Sequence, residues 1–392
     1  SDSANPVNYY DGFIDEVRIW NVGLTQLQIQ EMMNQEIEQN GSGVRGKITL
    51  KDISNGLDWE TNLIGYYDFN DDSATDQSNS GIDGIDINIT TSQLQTAPLP
   101  YYTMQNGNWD SVDNTTPWQY RETVWNTPNG VGIDGLTDID WNIVRISHNV
   151  DVNRHLFLGS LISESTALLT DEEITDSELT IGEDGNDYEL NIAHYLKLDG
   201  KIDLQNESQL IQGSGSWLDT DSSGYVERDQ QGTANSYTYN YWSSPVGLRN
   251  ITENNKEHKL GDVLRDGHQG GDVVGTIDFD PDSTSNIDPY YADGAASDPR
   301  KAATYWMYKF VNSQENDYTN WEWVGNYYDI NPTEGYTMKG TSGLSLVTDN
   351  QNYVFKGRPY NGDITLPIAL GNDRLIGNPY LSSMDANQFI LD

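Results

Sequence analysis

The run Asp219-Thr220-Asp221-Ser222-Ser223-Gly224 has a D-x-D-x-S-G spacing. Calcium gathers oxygens from carboxylates, carbonyls and water, and a glycine in the loop permits the sharp turn they need. On that reading Asp219, Asp221 and Ser223 are ligands and calcium is a structural cofactor. The bidentate glutamate that would close such a loop is replaced by Gln230. An ordinary acidic turn with Gly224 at positive φ is the competing reading. Trp321 and Trp323 are two residues apart in an expected strand, so both indoles lie on one face. With Tyr327 nearby they could stack on the C–H face of sugar rings. The competing reading makes them core residues, as for Trp109, Trp118 and Trp125. Asp278, Asp280 and Asp282 alternate around Pro281 and offer a third cation site, against a solvated acidic loop.

Catalytic chemistry finds less support. The five histidines (His148, His155, His194, His258 and His268) show no H-x-x-x-H or H-E-x-x-H spacing. No G-x-S-x-G elbow and no glycine-rich phosphate loop occurs. Glycoside hydrolysis needs two carboxyls at a set separation, but among 61 acidic residues no pair is singled out. Arg145, Arg154 and Lys201 could each serve a lyase as base, yet nothing in the sequence joins them. The expectation is that the chain is not an enzyme.

The elements that must hold these residues are β-rich. The chain has 392 residues, with 61 acidic against 21 basic, a net charge of −40. That balance argues against nucleic acid as a partner, because phosphate binding needs clustered Lys and Arg. It also argues against docking on anionic lipid, and no apolar run is long enough to insert in a membrane. Aromatic residues make up 11 % of the chain, which is not a disordered composition. There is no cysteine, so disulfides and thiol chemistry are excluded. Five Asn-Gly steps, at Asn40, Asn55, Asn106, Asn129 and Asn361, mark turns of an all-β protein.

Residues 24–37 (LTQLQIQEMMNQEI) read as the one helix, with Thr25 as N-cap and an apolar stripe through Leu24, Leu27, Ile29, Met32, Met33 and Ile37. Asn40-Gly41 is expected to end it. Residues 63–69 (LIGYYDF) read as a strand. Between 139 and 212 short alternating strands recur at 143–146, 156–161, 178–181, 189–192, 195–198, 201–204 and 208–211. That pattern predicts a short β-solenoid, with a strongly elongated sandwich as the alternative. Residues 231–392 predict a β-sandwich-like unit, with strands near 237–242, 304–311, 321–324, 335–338, 353–356, 363–367 and 374–376.

Two stretches near the start resemble a known fold. Residues 12–21 (GFIDEVRIWN) resemble the closing strand of a laminin-G-like (concanavalin-type) jelly roll. Residues 63–69, with Asp76-Gln77-Ser78 and Gly81, resemble its opening strand and turn. The resemblance implies calcium at Asp15 and Asp76. Because the closing motif comes first, the later strand either opens a second copy or folds back onto the first.

From about residue 95 onward the chain resembles a recurrent module of large exported surface proteins of the Bacteroidota, similar to type IX secretion substrates. The matching phrases include residues 96–101 (TAPLPY), 195–204 (YLKLDGKIDL), 208–212 (SQLIQ), 227–232 (ERDQQG), 239–246 (YNYWSSPV) and 375–380 (LIGNPY). This resemblance implies a secreted, cell-surface location. Neither end reads as a natural terminus, so the sequence is expected to be an excerpt of a longer chain.

The expected architecture is all-β. It has an incomplete laminin-G-like jelly-roll portion at 1–95, a β-solenoid-like segment at 96–230 and a β-sandwich-like unit at 231–392. The expected function is a structural or adhesive segment, a stalk, filament or adhesin, with surface glycans, other cells or further copies of itself as partners. The alternative is a set of carbohydrate-binding modules.

Overall fold

The computed structural model describes residues 10–70, 73–87, 97–111, 116–120, 123–132, 134–137, 139–165, 177–249, 251–267, 274–280, 294–314, 317–341 and 345–391. Within them strands dominate, and the α-helices are the short segments Gln26–Met32, Trp59–Asn62, Leu260–Val263 and Ala386–Leu391. The chain is all-β in class. None of these helices is long and apolar enough to cross a membrane. The chain divides into two compact units, Ser1–Tyr101 and Tyr102–Asp392.

In the first unit, Val17–Trp20 pairs antiparallel with Leu63–Tyr67, Val17 opposite Tyr67. The later strand therefore folds back onto the earlier one. The helix is shorter than its periodicity predicts. Thr25 caps it in a reciprocal box with Gln28, and it ends at Met32. Asn34 takes a positive φ of 60°, and Ile37–Asn40 turns back through Gly41 to pair with Gly43–Gly46. Asn40-Gly41 is thus a hairpin turn and not a helix stop. The apolar stripe is also displaced: Ile29 is 54 % exposed while Glu31 is buried. The Glu31 carboxylate accepts from the backbone and hydroxyl of Ser54 at 2.7 and 2.5 Å. A buried acid with satisfied oxygens replaces an apolar contact there. Met32, Ile37, Val44, Ile53, Leu57, Trp59, Leu63 and Tyr66 form the core.

In the second unit, strands alternate between two parallel sheets. One sheet stacks Val150–Val152, Glu178–Ile181, Lys201–Leu204 and Tyr225–Thr233 in that order. The other stacks Asn142–Ile146, Leu156–Ser163, Glu189–Leu198 and Gln209–Gln212. The stretch 189–198 is one strand where the sequence suggests two. Register alignment builds apolar columns: Val150, Leu179, Ile202 and Val226 are partners in sequence, and all are fully buried. Val152, Ile181 and Leu204 form a second column. Each such side chain contributes about 1.5–3 kcal/mol by leaving water.

Turns stack as well as strands. Gly224 does not have a positive φ; a Cβ there would meet the Gly200 oxygen at 2.0 Å. Glycine is needed because the backbone of one layer touches the layer before it. The parallel stack stops where Asn350–Pro359 pairs antiparallel along Tyr225–Thr233. The division expected at residue 230 falls inside this shared strand.

The last part of the chain adds a four-stranded antiparallel sheet in the order Tyr239–Trp242, Tyr336–Lys339, Tyr308–Phe310, Trp321–Trp323. Residues 363–367, expected as a strand, lie outside any sheet. Ile376 contributes an isolated bridge to Glu334. Trp109 and Trp118 are core residues with ring centres 4.7 Å apart.

Candidate functional site

Alternation in the four antiparallel strands divides their side chains between two faces. Antiparallel pairing sets Tyr239 opposite Lys339 and Tyr241 opposite Thr337, then Tyr308 opposite Trp323 and Phe310 opposite Trp321. Lys309 pairs with Tyr336, so Tyr308 belongs to the face of Thr337. One face therefore carries Tyr239, Tyr241, Thr337, Lys339, Tyr308, Phe310, Trp321 and Trp323. The opposite face turns Tyr336, Met338 and Asn240 inward. Trp242, also on that side, packs edge-on against Tyr353 at 4.8 Å.

The aromatic face is open in part. Tyr241 is 62 % exposed and Tyr239 37 %. Their ring centres are 6.3 Å apart, and Trp306 stands 6.2 Å from Tyr239. Lys339 Nζ lies 3.5 Å from the Trp306 ring centre and 5.2 Å from that of Tyr239, a cation–π arrangement that fixes the corner of the face. Thr337 Oγ1 donates to the Trp306 oxygen at 2.8 Å. Thr337, between Tyr241 and Tyr308, is itself buried. Burial, with neighbouring Tyr241, Tyr308 and Tyr305, pushes the Tyr239 phenol up. The Tyr239 hydroxyl thus stays neutral and can both donate and accept.

Trp321 and Trp323 do share this face, and both are half-buried. Trp321 packs on Phe310 at 5.3 Å. Trp323 Nε1 donates to the Thr304 oxygen at 2.8 Å, and its ring meets Tyr328 at 5.7 Å. Tyr327 follows in the turn with its hydroxyl buried, whereas Tyr328 is 58 % exposed. Tyr239, Tyr241, Tyr308 and Lys339 were not singled out by the sequence. The Tyr-x-Tyr step at 239–241 was the available signal, but its cross-strand neighbours lie about 70–100 residues away.

The proposed calcium residues meet other partners. Among the described residues no three His, Asp or Glu side chains converge as metal ligands. Asp219 accepts from the Tyr195 hydroxyl and, at 2.8 Å, from the Asp221 backbone N–H. Ser223 donates through N–H and hydroxyl to Asp199 at 2.9 and 3.0 Å. The main-chain oxygens of Asp219, Thr220 and Ser222 all accept from Arg358, at 2.6, 3.1 and 2.9 Å. A guanidinium thus sits where the loop turns its oxygens, and the arrangement does not fit a calcium coordination sphere.

Asp76 accepts from Tyr66 N–H, Ser78 N–H and Ser78 Oγ at 2.9 Å each, from Ile82 N–H at 3.2 Å, and from the Ser80 hydroxyl. Burial alone would raise its pKa. The hydrogen bonds, Ser80 foremost, outweigh that and hold the carboxyl well below the usual range. Asp15 accepts from Glu16 N–H at 3.0 Å. Burial, reinforced by Glu36 and Asp68, pushes its carboxyl up. Asp15 and Asp76 are not members of one ligand cluster. Asp278 faces Lys301 at 3.3 Å, while Asp282 lies outside the described residues.

Of the residues considered for catalysis, Arg145 pairs with Glu164 and Arg154 with Asp110. Lys201 is buried, 2.6 Å from Glu178, 2.8 Å from Glu227 and 3.3 Å from Asp203. Lys356 also reaches Glu227, at 2.8 Å. Burial, with Glu227 as a repulsive neighbour, pushes the Asp203 carboxyl up to about 6 despite Lys201. This network lies on the outer side of the parallel sheet, opposite the apolar columns.

No family model, curated protein or solved structure matches this chain.

Proposed function

We propose that this chain is a structural and adhesive segment of a large exported cell-surface protein. In this reading the parallel layers of the second unit are a short β-solenoid, and the first unit is a laminin-G-like jelly-roll portion. The observation that carries the proposal is the unbroken column Val150–Leu179–Ile202–Val226, closed by an antiparallel strand. Layers bonded in register make a stiff support, because bending it must strain several hydrogen-bonded strands together. The acidic surface keeps such a segment soluble and self-repelling. No catalytic step is part of the proposal.

A second reading, a carbohydrate-binding module, is favoured by the aromatic sheet face. The part-exposed Tyr239 and Tyr241 rings, 6.3 Å apart, offer apolar faces to sugar C–H groups, and Tyr and Trp contribute contact area at low entropic cost. A glycan array with the intact chain and with Tyr241→Ala discriminates the two. Binding that falls about tenfold in the variant supports the module. A folded chain that binds nothing on the array leaves the structural role. That role in turn predicts high resistance of the second unit to forced unfolding, and unfolding at low force would overturn it.

A further inference from the structure

An asparagine followed by glycine can modify itself, and the chain has five such steps. The glycine backbone nitrogen attacks the asparagine Cγ. An N–Cγ bond forms, the Cγ–Nδ2 bond breaks, and ammonia leaves with the proton of the backbone N–H. Water then opens the five-membered imide. Opening at one carbonyl gives aspartate; opening at the other gives isoaspartate, whose main chain runs through the side-chain carbon. The reaction needs a side-chain amide free to turn, a glycine N–H not held by an acceptor, and access to water.

Four of the five steps fail one of these conditions. The Asn106 side chain accepts from Asn149 N–H at 3.0 Å, and Gly107 N–H donates to the Asn149 oxygen at 3.0 Å. Asn129 is buried, with Nδ2 donating to Asp140 at 3.2 Å and to the Phe157 oxygen at 2.5 Å, and Gly130 N–H donates to the Thr127 oxygen at 3.0 Å. Asn361 is buried, with its side-chain oxygen accepting from Leu218 N–H at 3.1 Å. Asn40 is exposed, but its Nδ2 donates to Asp52 at 2.7 Å. That carboxylate also opposes the negative charge that develops on the attacked amide.

Asn55-Gly56 meets all three conditions. Both residues are exposed, with φ of 62° and 65° in a tight turn. Among the described residues neither the Asn55 side chain nor the Gly56 N–H has a hydrogen-bond partner. Nothing lies within 4 Å of a Cβ placed on Gly56, so the turn can open without displacing a neighbour.

The residues on either side are anchored. Ser54 donates from N–H and hydroxyl to Glu31 at 2.7 and 2.5 Å, and its oxygen accepts from Gln28 Nε2 at 3.0 Å. Leu57 belongs to the core of the first unit. Isoaspartate adds one carbon to the main chain between these two anchors, which works against the bonds that hold Ser54 to the helix Gln26–Met32.

We propose that Asn55 is the site at which the folded chain deamidates spontaneously, and that isoaspartate formed there loosens Ser54 from Glu31 and Gln28.

The test holds the intact chain at pH 8 and samples it over weeks. Peptide mapping with electron-transfer fragmentation counts aspartate and isoaspartate at each of the five steps. The expected result is conversion at Asn55 five-fold or more faster than at any other step, with the five rates converging in urea. Hydrogen exchange at Ser54 N–H should be five-fold or more faster in the isoaspartyl fraction than in fresh chain. A smaller preference for Asn55 in the folded chain, or a faster step elsewhere, overturns the proposal. So does the same preference in urea, which would assign it to local sequence and not to the fold. Unchanged exchange at Ser54 overturns the loosening.

Discussion

Arg358 Nη2 donates to the main-chain oxygen of Asp219 at 2.6 Å, across 139 residues of sequence. The same guanidinium reaches the oxygens of Thr220, Ser222 and Ile251 and the Asn254 side chain. It is almost fully buried, at 3 % exposure. The final strand of the parallel stack's cap thus pins the loop that turns between layers. An arginine performs here the oxygen-gathering that the D-x-D-x-S-G spacing suggests for a metal.

Arg358→Met therefore destabilises the second unit by about 3–5 kcal/mol, since several buried carbonyls lose their donor together. Arg358→Lys does not restore it, because an ammonium lacks the fork that reaches several oxygens. Chelation leaves the melting temperature of the wild type unchanged at this loop. Thermal melts with and without EDTA check both statements. A chelator-dependent fall that disappears in Asp221→Ala would assign the loop to calcium after all.

Gly224→Ala destabilises by about 1–3 kcal/mol or more, because the new methyl group meets the Gly200 oxygen and no flexible side chain can yield. Gly213→Ala is the control, with nothing within 4 Å of its Cβ position. Urea midpoints of the two variants should separate clearly. Equal midpoints would show that the layers are not in contact at this turn.

Lys201→Met leaves Glu178, Asp203 and Glu227 facing one another with one cation fewer. The expected loss is about 3–5 kcal/mol at neutral pH. The loss should shrink in mild acid as the carboxyls take up protons. Denaturant titrations at pH 7 and pH 5 measure the difference.

His258 is buried against the Tyr360 hydroxyl, at 2.8 Å, and burial pushes its pKa from 6.5 to about 3. Between those values the unfolded chain binds a proton at this residue and the folded chain does not. Stability contributed by His258 is thus full above pH 6.5 and falls as the pH drops, by roughly 3 kcal/mol at pH 4.5. Asp203 acts with the opposite sign between about pH 6 and its ordinary value of 3.8, where the folded chain holds the extra proton. His258→Gln should flatten the acid decline of the melting temperature. An unaltered decline would show that other groups cause it.

Composition and local pattern determined the class of this protein. Alternating apolar residues and Asn-Gly turns demand strands, and Thr25 with Gln28 starts a helix, because these signals act within a few residues. The two indoles at 321 and 323 were legible as one face for the same reason. What closes the helix at Met32, and why Glu31 and Gln35 are buried while Ile29 is exposed, depended on hairpin and loop partners farther along the chain. The partner of the Asp219 loop was decided only by tertiary structure. Spacing records which oxygens a loop can offer, but Arg358 reaches them from a strand 139 residues away. The aromatic face likewise became a surface only when register aligned Tyr241, Tyr308 and Trp323 across three intervening strand pairings. Local sequence fixes which side of a strand a residue takes; packing alone decides which side meets water.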